Sequence, residues 1–189
     1  MTTLPATIYE AFAADWIRQY SEPALGVLHP SYSFKSIMRR WVLHHPYGAD
    51  EMVMFAEDYG SHEADQVLQE IIAERIDRDQ SLGAVLGAYD IRSHNPVRNR
   101  KPGPNKFDNF RRDIGIASLV YALITEFGLA VHHNPASRPP SASTVAAAAL
   151  AEAGIGIVIS HRGVAKIWDR YGPLFMPGPL PEGYLGPFA

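Results

Sequence analysis

Three basic residues near the carboxyl terminus recur at steps of four: Arg162, Lys166 and Arg170. Residues four apart lie one above the other on the same face of an α-helix. A helix across these positions therefore presents a row of positive charge, with His161 beside its amino-terminal end. Guanidinium and ammonium groups in such a row can contact phosphates and the acceptor edges of bases.

The helix that must position this row has the pattern of a half-buried element. Four apolar residues at offsets of 0, 3, 4 and 7 define one stripe on the opposite side. These residues are Val164, Ile167, Trp168 and Tyr171. Ser160 stands where an N-cap side chain accepts a hydrogen bond from the first amides of a helix. The pattern predicts a helix that buries its stripe and exposes its basic row.

A second helix is predicted just before it, from the alanine-rich segment 143–153. Two short helices in succession, the second with a basic face, are typical of a helix-turn-helix, whose second helix enters the major groove of DNA. The connection at 154–159, GIGIVI, has six residues where three or four are usual, and it is β-prone. Two interpretations stay open: an elongated turn, or a short strand inside an ordinary helical hairpin.

The segment ISHRGVAKIWDRY at 159–171 resembles the second helix of many bacterial helix-turn-helix proteins. In those proteins a capping Ser is followed by a Val and then by an aliphatic and aromatic pair, which here are Ser160, Val164, Ile167 and Trp168. More loosely, residues 98–171 are similar to the carboxy-terminal region of uncharacterised bacterial proteins, some of them phage-derived. The resemblance implies a protein that binds double-stranded DNA and regulates transcription.

A basic strip lies upstream. Residues 92–112 hold seven Lys or Arg and one Asp, a net charge of +6 in a chain whose overall charge is −3. Its prolines at 96, 102 and 104 exclude regular structure between 92 and 106. Four of its residues are candidates for a flexible arm that contacts phosphates or the minor groove: Arg98, Arg100, Lys101 and Lys106. A solvated linker is the alternative interpretation.

Other chemistry finds little support in the sequence. Eight histidines include two adjacent pairs, but neighbours on a helix point about 100° apart, whereas two ligands of one metal need a spacing of four. The segment HEADQ has Gln66 where the zinc-protease motif that begins at His62 would need a second histidine. Gly154 and Gly156 lack the third glycine and the strand of a dinucleotide loop. We expect no metal, no cofactor and no catalytic residue, and an enzyme of unfamiliar type stays an alternative.

Composition sets the remaining bounds. At 189 residues and 47% hydrophobic content the chain can bury a core without staples, and the absence of cysteine excludes disulfides and thiolate sites. Neither a signal-like start nor a run of eighteen apolar residues occurs, which predicts a cytoplasmic protein without a membrane anchor.

Apolar periodicity predicts an all-α, multi-helix protein. The predicted helices are 7–20, 33–45, 50–59, 62–77, 81–91, 107–127, 143–153 and 161–171. We divide the chain into an acidic helical subdomain at 1–91, a basic linker at 92–105, a helix-turn-helix-like subdomain at 106–171 and an irregular tail at 172–189, rich in proline and glycine. The predicted function is DNA binding, as a homodimer or with another protein partner. The alternative is a non-enzymatic adaptor or assembly protein that uses the acidic helices and the tail.

Overall fold

The computed structural model describes residues 6–20, 34–93, 106–132, 140–154 and 157–176. These segments are all-α, as predicted, with eight α-helices, one short 3-10 helix and no strand. The α-helices are α1 (Ala6–Tyr20), α2 (Phe34–His44), α3 (Gly48–Glu57), α4 (His62–Asp77), α5 (Gly83–Ser93), α6 (Lys106–Phe127), α7 (Ala142–Glu152) and α8 (His161–Tyr171). Each begins and ends within two residues of its predicted bounds.

Local signals explain where several helices begin and end. The Ser61 hydroxyl accepts a hydrogen bond of 3.1 Å from the amide of Ala64 and caps α4 as predicted. Gly60 after α3 and Gly128 after α6 have φ angles of 66° and 65°, in the left-handed region that favours glycine. Both helices therefore end at a backbone conformation that residues with a side chain rarely adopt.

One compact unit contains α1, most of α6, α7, α8 and the 3-10 helix Gly172–Leu174. In it α7 packs against both α1 and α8. Helix α6 is buried on several sides, since buried residues follow one another around its circumference. They include Ile114, Ile116, Leu119, Val120 and Leu123.

The start of the tail belongs to the core of this unit. Leu174 and Phe175 are fully buried, and the Phe175 ring stacks on Tyr121 with ring centroids 5.8 Å apart. These two residues are therefore held in the core of the unit. The 3-10 helix Gly172–Leu174 is a short regular element that the proline and glycine content did not predict. Residues 177–189 lie outside the described segments.

The buried face of α1 differs from the predicted one. The spacing favoured a stripe of Ile8, Phe12, Trp16 and Tyr20, whereas the structure buries Tyr9, Ala13 and Ile17. Ile8 is exposed, and Phe12 and Trp16 are half-buried. Apolar residues occur on both of these neighbouring rows of α1, so the row that is buried depends on the helix that packs against it. That helix is α7, whose small side chains allow a close approach that Ala13 suits.

The other compact unit contains α2 to α5, and α3 packs against both α4 and α5. Its core includes Ile37, Met38, Trp41, Met52 and Leu68. The Trp41 indole stacks on the buried His45 ring at 3.6 Å between centroids and donates a hydrogen bond of 2.8 Å to Glu51. These contacts confirm the predicted inner face of α2.

Two acidic residues of α4 form ion pairs with basic residues of α2. Lys35 and Arg39, one turn apart on α2, form ion pairs with Glu70 and Glu74, one turn apart on α4. Because both residue numbers rise together, α2 and α4 run in the same direction where these pairs form. Part of the negative charge of this unit is therefore neutralised internally.

The grouping of α1 with the later helices crosses the sequence-based division of the chain. The units follow packing, and α1 packs on α7 although more than a hundred residues separate them in the sequence. The division at 91 and 106 stays a prediction.

Candidate nucleic-acid interface

The orientation of α8 is fixed by its apolar stripe. All four predicted stripe residues are buried: Val164, Ile167, Trp168 and Tyr171. The helix lies against α7 on one side and the 3-10 helix on another. Gly172 lies so close under the Trp168 indole that an added Cβ would approach its ring atoms to 2.5 Å. Since this face is held in the core, the opposite face of α8 is held toward solvent.

Two of the predicted basic residues lie on that outer face. Arg162 and Lys166 are exposed, and neither forms an ion pair with any residue in the described segments. Arg162 lies in the first turn, at the amino-terminal end of α8, and Lys166 lies one turn later, at the centre of the helix. The positive end of the helix dipole adds to the potential at the amino-terminal end.

Arg170, the third member of the row, has a different environment. It is half-buried, and its guanidinium lies 4.9 Å from the centroid of the Tyr171 ring. Its charge also acts on Asp113 of α6. Arg170 is therefore part of the packing of α8, although the four-residue spacing grouped it with Arg162 and Lys166.

Asp113 of α6 is the carboxylate on which the charge of Arg170 acts. Burial raises its pKa, while hydrogen bonds from Arg112 and the charges of Arg112 and Arg170 act in the opposite direction. Arg112 donates from both Nε and Nη2 to one Asp113 oxygen, at 2.9 and 2.7 Å. Desolvation is the largest of these effects, because the Asp113 side chain is mostly out of solvent.

An acidic residue on the basic face was missed by the sequence analysis. Asp169 is exposed and follows Arg162 by seven residues and Lys166 by three, which places it on the same face of α8. Its carboxylate lies 3.4 Å from Nε2 of His132, in the loop after α6. The spacing alone could have revealed Asp169. The partner His132 could not be found that way, since it depends on how α6 and α8 lie together.

The amino-terminal end of α8 is well defined. The Ser160 hydroxyl accepts a hydrogen bond of 3.2 Å from the amide of Gly163, so the predicted cap is confirmed. His161, the first residue of the helix, is half-buried. Gly154, after α7, has a φ of 64°, and residues 157–160 form neither helix nor strand. Ile155 and Gly156 lie outside the described segments, so both interpretations of the connection stay open.

The predicted basic arm is described only at its end. Arg98, Arg100 and Lys101 lie outside the described segments, and Lys106 is the first residue of α6. Their role as a DNA-contacting arm stays a prediction.

In the described segments, no group of three or more His, Asp or Glu side chains could hold a metal ion. None of the described helices combines the length and the apolar character that crossing a membrane requires. No family model, no curated protein and no solved structure matches this chain.

Proposed function

We propose that this protein binds double-stranded DNA through α8, supported by α7 as the first helix of a helix-turn-helix, and that it regulates transcription. The observation that carries the proposal is the exposure of Arg162 and Lys166, without an ion pair in the described segments, on the outer face of a helix held by its buried stripe. A helix held in this way presents its side chains at little further cost in conformational entropy.

The placement of the two residues suits the two kinds of DNA contact. Recognition helices contact base edges mainly with residues near their amino-terminal end. Arg162 lies in the first turn of α8, where its guanidinium can donate to the O6 and N7 atoms of guanine. Lys166 lies one turn later and can contact a base or a phosphate. Arg98, Arg100, Lys101 and Lys106 would add phosphate contacts from the arm.

Charge also favours DNA over the adaptor alternative. An adaptor was expected to bind its partner through the acidic helices, yet Glu70 and Glu74 of α4 are engaged by Lys35 and Arg39. Arg162 and Lys166 have no such pairing in the described segments. A single short helix reads only a few base pairs, so dimerisation would raise both affinity and specificity.

The test is a titration of the purified full-length chain with random duplex DNA at two salt concentrations. We expect salt-sensitive binding with a Kd of about 10⁻⁴ to 10⁻⁶ M at physiological salt. In the double variant Arg162→Ala with Lys166→Ala binding should weaken, and the slope of log K against log salt should fall by about 0.9 for each lost phosphate contact. Both side chains are exposed, so the variant should fold normally.

A second double variant controls for overall charge. Arg18→Ala with Arg78→Ala removes the same charge from two exposed positions, one in α1 and one at the end of α4. This variant should bind DNA nearly as the wild type does. Equal weakening in both double variants, or unchanged binding after the α8 changes, would remove α8 as the recognition helix. No binding at low salt would refute the proposal.

A further inference from the structure

Val158 is the most exposed of the large apolar side chains in the described segments. Its exposed fraction is 93%, against 74% for Ile91, the next in order. The residues on either side of it, Ile157 and Ile159, are half-buried. The chain therefore alternates here, and Val158 is the one of the three whose side chain lies almost wholly in water.

Its position ties it to the basic end of α8. Val158 precedes the capping residue Ser160 by two residues and Arg162 by four, and all three are exposed. The Cα atoms of residues four apart are separated by at most about 14 Å, which equals about four base-pair steps along DNA. The side chains of Val158 and Arg162 are thus close enough to contact the same segment of a DNA groove.

The major groove offers one apolar group that such a side chain can recognise, the 5-methyl group of thymine. Valine suits this contact because its branched side chain has few rotamers to lose on binding. We infer that Val158 contacts the 5-methyl group of a thymine in the bound site and so makes the protein select thymine at that position. This inference rests on the proposed function of α8 and deepens it, since it assigns part of the sequence specificity to the connection between α7 and α8.

The expected effect is modest and measurable. Removing one methyl group from an apolar contact changes affinity by about fourfold. A duplex in which uracil replaces the contacted thymine lacks only that methyl group, and its base pairing and hydrogen-bonding edges are retained. The wild-type protein should therefore bind the thymine duplex about fourfold more tightly than the uracil duplex.

The experiment begins with the full-length protein and a binding site selected from random duplex DNA. Each thymine of the selected site is then replaced by uracil, one at a time, and the Kd of each duplex is measured for the wild type and for Val158→Ala. At one position the wild type should lose about fourfold in affinity, and Val158→Ala should bind the two duplexes equally. Ile91→Ala removes an exposed apolar side chain from α5 and should retain the wild-type preference.

The outcomes separate the inference from the proposal beneath it. If the wild type binds DNA in a salt-sensitive way but discriminates at no thymine, or selects a site without thymine, the assignment of Val158 is wrong and DNA binding stands. If Val158→Ala keeps the preference, another residue makes the contact and the assignment is equally wrong. If the wild type binds no duplex at low salt, both the proposed function and this inference fail.

Discussion

Replacing Val164 by alanine tests the orientation of α8, on which the functional argument depends. Val164 is the first residue of the stripe and is fully buried. The change removes two methyl carbons, worth about 0.8 kcal/mol each in transfer free energy, or about 1.6 kcal/mol together. The cavity left behind adds a further cost, since the surrounding core relaxes only in part. We expect the free energy of unfolding to fall by about 2 to 3 kcal/mol.

The matched control removes the same atoms from a neighbouring site. Val158→Ala, six residues earlier, shortens a side chain that is almost fully exposed and should change stability by less than about 0.5 kcal/mol. For a chain of this size, 1 kcal/mol corresponds to about 2 to 4 °C in Tm. Thermal unfolding followed by far-ultraviolet circular dichroism should therefore show a Tm lower by about 4 to 12 °C for Val164→Ala and nearly unchanged for Val158→Ala.

The comparison has a clear contrary outcome. If Val164→Ala melts like the wild type, or if both variants lose the same stability, the stripe is not the buried face of α8. Arg162 and Lys166 would then no longer be placed on the outer face, and the argument for DNA contact through them would lose its basis.

Three further changes test the two units, two of them in the unit that contains α2 to α5 and one in α6. Gly48→Ala should destabilise by about 1 to 3 kcal/mol or more, because the new Cβ would lie 2.0 Å from the backbone oxygen of Trp41. Gly87→Ala, inside α5 with its nearest contact 4.0 Å away at Leu82, should instead stabilise by about 0.5 to 1 kcal/mol, and urea unfolding that gave both the same sign would contradict this. Burial raises the pKa of Asp113, so the native state holds its proton more tightly than the unfolded state does. Relative to Asp113→Asn, the wild type should lose stability as the pH rises above 3.8 through the raised value, and a difference that grows in favour of the wild type would refute the assignment.

The positions of the helices could be predicted from the sequence. Their signals are local: a capping serine, an apolar row with a 3.6-residue period, and a glycine where the chain turns left-handed. For α8 these signals predicted the cap at Ser160 and the buried stripe, and the structure confirms both. They also predicted the exposure of Arg162 and Lys166, since the face opposite a buried stripe must lie outward.

The burial of Arg170 could not be predicted from the spacing. Its spacing places it with the basic row, but its half-buried state depends on Asp113 and the rest of α6, which lie more than forty residues away in sequence. Periodicity describes one helix and carries no information about which neighbour lies over its edge.

For this protein, then, the sequence by itself determined the fold class, the bounds of the helices and the buried stripe of α8, because hydrogen bonding and periodicity within a helix are local. The tertiary structure decided which of two apolar rows α1 buries, that Lys35 and Arg39 neutralise acids on α4, and that Val158 stands in water between two half-buried isoleucines. The first two depend on contacts between segments distant in the chain, and such contacts are settled by the shape and charge of both partners together.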